Sequence, residues 1–200
     1  MKTNQYILII ALFCLGIVSC RTRTEELYSK GENLVEEKKY SEAIEIYNNI
    51  LKRNSKLQDA YYYKADCYFL DSNYTKALHY YKLLLKKKGV EIEENMISER
   101  NVNILESQEV RNHEIPVAEI FYRLGITYYY MDSLSSSFKF LQRSIERKHQ
   151  IAGSLIWQGL IWTRTDSVHK SCDFFQRAKE LGDAEGERFL KLFCESKAPK

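Results

Sequence analysis

The chain has 200 residues, a formal net charge of +3 and 44% hydrophobic residues, enough for one domain or one short repeat array. Acids and bases are intermixed, without the one-sided basic excess that marks a nucleic-acid binder, so nucleic acid is excluded as an expected partner. Two prolines, eight glycines and an abundance of Tyr, Leu, Ile, Lys and Glu favour helix and leave little material for many tight turns.

The first element is the N-terminal stretch. Lys2 precedes an apolar and small-residue run from Tyr6 to Val18, the pattern of a secretory signal. The run is far shorter than the ~20 residues a spanning helix needs. Ile17, Val18 and Ser19 then stand directly before Cys20. That ending resembles the bacterial lipobox, and the resemblance implies a signal peptide over 1–19, cleavage before Cys20, lipid on Cys20 and a short tether over 20–23. The competing reading is an ordinary signal with a chance cysteine. The residue after the cysteine is Arg21 rather than aspartate, which resembles inner-membrane retention. The expected address is therefore the bacterial envelope, at the outer membrane facing the periplasm, with surface display as an open alternative.

Downstream the chain repeats. Leu27, Gly31, Leu34, Tyr40, Ala43, Tyr47 and Ile50 recur 34 positions later as Tyr61, Ala65, Tyr68, Tyr74, Ala77, Tyr81 and Leu84, each keeping its size class. Phe121, Gly125, Tyr128, Leu134, Ser137, Leu141 and Ser144 recur in the same way as Leu155, Gly159, Trp162, Val168, Ser171, Phe175 and Ala178. Within each set the apolar spacing is i, i+4, i+7, one face of a helix, and the alternation of a strand is absent. The small residues mark where two helices must approach closely. A period of 34 with this pattern of large and small residues resembles the tetratricopeptide repeat family. The resemblance implies an all-α, right-handed α-solenoid of four helix pairs at 24–57, 58–90, 118–151 and 152–183, with a capping helix and tail over 184–200. The helices of a pair should join near Lys39-Tyr40, Asn73-Tyr74, Ser133-Leu134 and Ser167-Val168. The proline that often ends a repeat in that family is replaced by Ser55, Gly89, His149 and Asp183, which predicts looser turns.

Residues 91–117 interrupt the register. They are rich in glutamate from Glu91 to Glu114 and follow Lys86-Lys87-Lys88. The simpler reading is a solvated spacer between two pairs of repeats that lets the halves move. The alternative is an acidic arm for a basic partner, with a short helix over Ile97, Ile104 and Leu105. Beyond Gly182, Phe189, Leu190 and Phe193 lie among charged residues as an amphipathic helix, suited to closing a repeat array.

If Cys20 carries lipid, Cys67, Cys172 and Cys194 remain. Adjacent helices could bring Cys172 to Cys194, but the favoured expectation is that all three are small packing residues.

In the resembled family the first helix of each repeat lines a concave face. Carried over by register, that face holds Tyr28, Tyr62, Tyr122 and Ile156 in one row, Glu32, Asp66, Ile126 and Leu160 in a second, and Val35, Phe69, Tyr129 and Thr163 in a third. Tyr63, Tyr130 and Trp157 lie beside them. Aromatic side chains there suit a protein or peptide partner, and Glu32 with Asp66 favours a basic segment. The alternatives are a groove filled by the protein itself, or aromatic positions serving packing alone. The lysine and asparagine positions that grip a carboxylate in some members are not matched. The four histidines are scattered, and no phosphate loop, metalloprotease helix or nucleophile elbow occurs. His169 and Cys172 share a helix face, but two ligands make no metal site. No enzyme, cofactor or metal is therefore expected. The reading is a membrane-anchored adaptor. Its rivals are a glycan-binding or hydrolase-accessory envelope protein and a purely structural spacer.

Overall fold

The computed structural model describes residues 23–90, 115–165 and 167–195. The expected signal and Cys20, the bulk of the acidic insertion at 91–114 with its possible short helix, and the tail at 196–200 lie outside the described residues. Helix α1 spans 23–36. It is followed by α2 (Tyr40–Arg53), α3 (Gln58–Leu70), α4 (Tyr74–Lys87), α5 (Val117–Tyr130), α6 (Leu134–Glu146), α7 (Ile151–Arg164), α8 (Val168–Glu180) and α9 (Ala184–Leu190). A π-helical turn, Lys191–Glu195, completes the order. The fold class is all-α, and no strand occurs among the described residues. None of their helices is long and apolar enough to cross a membrane. The chain divides into two compact units, Met1–Ser72 and Asn73–Lys200.

In the first unit, α2 buries Ala43, Ile44, Tyr47 and Ile50 together with Ala60 and Cys67 of α3. The face follows from the helical spacing of those residues. Tyr47 lies over Gly31, where an added Cβ would come within 2.8 Å of the ring. The turn after α1 puts Lys38 at φ 60°, and the Lys38 and Lys39 amides donate to Val35 and Leu34 carbonyls at 2.9 and 2.8 Å. This left-handed C-cap satisfies the helix end. Ser72 and Asp132 occupy the same conformation after α3 and α5.

In the second unit, α4 packs on α5 although the insertion separates them in sequence. Tyr74 stacks on Tyr130 at 5.2 Å and the Lys82 ammonium lies 5.6 Å from the Tyr128 ring centre. The compact units part at Ser72/Asn73, and the helices on either side of the insertion lie in the same unit. The physical reason is that loop-closure entropy grows only logarithmically with length, so a long insertion can leave the contact between its flanking helices intact.

The remaining pairs, α5 with α6 and α7 with α8, meet at their small residues. Leu141 covers Gly125 and Phe175 covers Gly159. Ser137, where the resembled pattern has alanine, keeps the small size and donates its hydroxyl to the Gly125 carbonyl at 2.7 Å. The repeat ends near Gly89, His149 and Asp183 close through left-handed, hydrogen-bonded caps. Gly89 (φ 75°), Lys148 (φ 55°) and Gly182 (φ 82°) turn the chain left-handed. The next amide then donates back into the helix: Val90 to Leu85 at 2.9 Å, His149 to Ser144 at 3.0 Å and Asp183 to Ala178 at 3.2 Å.

Helix α9 lies so close to α8 that a Cβ on Gly186 would fall 2.7 Å from the Lys179 backbone nitrogen. Phe175, Phe189 and Phe193 stack with centres 5.4–6.0 Å apart. Cys172 and Cys194 form a disulfide with Cα atoms 5.9 Å apart, within the ordinary span of such bonds. This overturns the expectation that all three thiols are packing residues. The turn after α8 sends α9 back along it and carries Cys194 to Cys172. Cys67 alone of the three keeps its thiol, buried in the first unit.

Candidate partner-binding cavity

The expected concave residues fall in both units. In the first unit, Tyr28, Tyr47 and Tyr63 form one aromatic set: Tyr28 lies 6.2 Å from Tyr47 and 6.0 Å from Tyr63, and Tyr47 stacks on Tyr63 at 5.6 Å. Tyr28 donates its hydroxyl to Asp59 Oδ1 at 2.6 Å. Burial, and then the Asp59 bond, push the Tyr28 hydroxyl far above its ordinary range. Burial raises Tyr63 as well, with Glu32, Asp59 and Asp66 adding to the shift. Burial, reinforced by the acids, therefore keeps these phenols protonated. Glu32 is exposed, Asp66 and Phe69 are half-buried, and Tyr62 is buried. Burial pushes the Cys67 thiol up to about 12, with Asp66 contributing, so this cysteine is inert.

In the second unit, α5, α7 and α9 line an open cavity of about 500 Å³. Three of the expected residues, Tyr122, Ile156 and Leu160, line it, with Trp157 and Phe189 as further aromatic walls and Asp183 and Glu185 at the α9 end. Ile126 is buried away from it. Tyr129 lies outside it, 5.1 Å from the Trp157 ring, and its own ring carries the Arg164 guanidinium at 5.0 Å. Helix periodicity places the α7 wall, since Ile156 and Leu160 share one face of that helix. Gly153 matters to the shape, since a Cβ there would come within 2.8 Å of the Tyr122 hydroxyl. Burial raises the Tyr122 hydroxyl above its ordinary value. A hydrogen bond with the Trp157 side chain and the Arg123 charge oppose this, and Glu119 and Asp183 add to it. Asp183 caps α9, its Oδ1 accepting from the Glu185 and Gly186 amides at 2.9 and 3.2 Å.

Register arguments missed Gln150, Gly153, Asp183, Glu185 and Phe189 as cavity residues. The repeat pattern describes contacts within and between pairs, whereas this wall forms where the cap turns back toward α7. Phe189 was visible only as an apolar residue of the cap. Among the described residues no group of three or more His, Cys, Asp or Glu could hold a metal ion, and Cys172 is consumed by its disulfide.

Paired antiparallel helices of this length, recurring at a fixed spacing and joined by left-handed caps, define the α-solenoid repeat class. The tetratricopeptide repeat profile matches residues 59–87, and the fold is similar to that of tetratricopeptide repeat solenoids. Solved structures of similar fold include MamA 41-end from Desulfovibrio magneticus RS-1, with a TM-score of 0.59 at 18% identity over 80% of this chain and 75% of that one. A second MamA structure gives 0.60 at 16% identity over 87% and 82%. YrrB, described as a TPR protein with an unusual peptide-binding site, gives 0.54 at 16% identity over 86% and 76%. No curated protein matches the chain by sequence. Likeness at these identities concerns the scaffold and not its partner.

Proposed function

We propose that this protein is a lipid-anchored adaptor of the bacterial envelope, which holds a protein or peptide partner in the cavity formed by α5, α7 and α9. The carrying observation is the cavity itself. It is of ligand size, and its Tyr122, Trp157 and Phe189 walls are the stiff aromatic type enriched at binding hot spots. The peptide-binding site named for YrrB is consistent with a partner of that kind. The lipobox-like Ile17-Val18-Ser19-Cys20 supports the anchor. The Cys172–Cys194 disulfide supports the same compartment independently, because such bonds persist outside the reducing cytosol.

The test compares partners cross-linked in envelope membranes by the full chain and by a Tyr122→Ala/Trp157→Ala variant of matching circular dichroism. Partners lost only from the variant support the reading, and identical recovery overturns it. Loss of membrane association in Cys20→Ala checks the anchor separately. A second reading, glycan binding, draws on the same aromatic faces. Retention of the chain on peptidoglycan stripped of protein would favour it.

A further inference from the structure

Resting on the partner-binding reading, we infer that the cavity between α5, α7 and α9 receives an arginine side chain of the partner. The guanidinium would stack on the aromatic walls and pair with the Asp183 carboxylate.

The charge of the lining gives the first argument. Apart from the protonated Tyr122, its ionisable residues are Asp183 and Glu185, and no lysine or arginine is among them. The walls around those acids include the rings of Tyr122 and Trp157, whose faces attract a cation within ~6 Å, while Phe189 is already stacked on Phe175 and Phe193 and carries Arg188. An anionic occupant would meet repulsion, and a wholly apolar one would strip water from Asp183 without replacing it.

The state of each acid gives the second argument. Glu185 is already paired with Arg188. Asp183 is half-buried, and capping α9 uses only its Oδ1. Its Oδ2 is therefore the carboxylate oxygen left for a ligand, and the charge of Asp183 is felt by Tyr122, the α5 wall of the cavity.

The third argument separates arginine from lysine. A planar guanidinium can lie flat on a ring while donating at its edge, which a compact ammonium cannot do. The same unit uses this arrangement twice internally. Arg188 lies 4.7 Å from the Phe189 ring centre while bound to Glu185, and Arg164 lies 5.0 Å from Tyr129 while bound to Asp132.

The test titrates blocked pentapeptides of glycine with arginine, citrulline, leucine or glutamate at the centre into the full chain in detergent micelles. The readout is the Trp157 indole N–H in two-dimensional NMR, assigned with Trp157→Phe. The arginine peptide should shift that resonance and bind about tenfold or more tightly than its uncharged isostere citrulline. Asp183→Asn keeps a side-chain cap for α9 and should weaken the arginine peptide about tenfold while leaving the leucine peptide unchanged. Leucine or citrulline binding as tightly as arginine, an unchanged affinity in Asp183→Asn, or no shift from any peptide at millimolar concentration would each overturn the inference. The adaptor reading has its own readout in the cross-linking comparison, so the two can fail separately.

Discussion

The Phe175 ring lies directly on Gly159, leaving no room for a Cβ. The same relation holds between Leu141 and Gly125 and between Tyr47 and Gly31, each pair 16 residues apart. Phe175 is fully buried and stacked on Phe189 and Phe193, so it has nowhere to move. Gly159→Ala should therefore cost about 1–3 kcal/mol by overpacking, despite the better helix propensity of alanine. Thermal unfolding checks this, and a variant as stable as the parent would show that the α7–α8 contact is softer than described.

Gly153 offers the contrasting case. What an added methyl would meet is the Tyr122 hydroxyl, the far end of a side chain. Gly153→Ala should leave stability unchanged or raise it by up to about 1 kcal/mol, while displacing Tyr122 and reshaping the cavity. Urea unfolding together with partner capture should separate the two effects. Loss of stability without loss of capture would contradict the role given to Tyr122.

The disulfide closes a loop across the turn that joins α8 to α9, with a sequence separation of 22. Removing it with Cys172→Ser/Cys194→Ser should release about 3 kcal/mol of chain-entropy stabilisation. Amide hydrogen exchange across α9 should accelerate by roughly two orders of magnitude, with α5 and α6 little changed. Uniform acceleration throughout the second unit would mean that the cap and the helix pairs open together.

Tyr28, Tyr47 and Tyr63 all have hydroxyls raised above the ordinary value of 10.0, chiefly by burial. The folded chain thus holds these protons more tightly than the unfolded chain. The resulting stabilisation is complete below about pH 10 and is lost as pH rises beyond it. Phenolate absorbance followed alongside far-ultraviolet circular dichroism should show these tyrosines ionising only as helix is lost. Ionisation near pH 10 with helix intact would contradict the burial of this set.

Lys38 is exposed and sits at φ 60°, a conformation that costs a residue with a Cβ about 1 kcal/mol. Lys38→Gly should stabilise by a few tenths to about 1 kcal/mol, the gain being trimmed by the greater freedom of glycine in the unfolded chain. A lower melting temperature would show that the lysine side chain supports the turn.

The helix pairs were legible because their signal is local and repeated: Gly31, Gly125 and Gly159 announce the close contacts and Ala43, Ser137 and Ser171 answer them. The left-handed residues Lys38, Ser72 and Asp132 carried no such mark, being a lysine, a serine and an aspartate rather than glycine. The cavity was half legible. Tyr122, Ile156 and Leu160 follow from register, whereas Asp183 and Phe189 depend on how α9 folds back, and no periodicity encodes that. The pairing of Cys172 with Cys194 was legible only as the less favoured of two readings, for the same reason.

The contact between α4 and α5 has a consequence for how such a chain can change. Two helices that touch on either side of residues 91–114 fix only the end points of what joins them. The stacked aromatic pair Tyr74 and Tyr130 holds those end points together. Any sequence placed between Lys87 and Val117 must therefore begin and end beside the same helix contact.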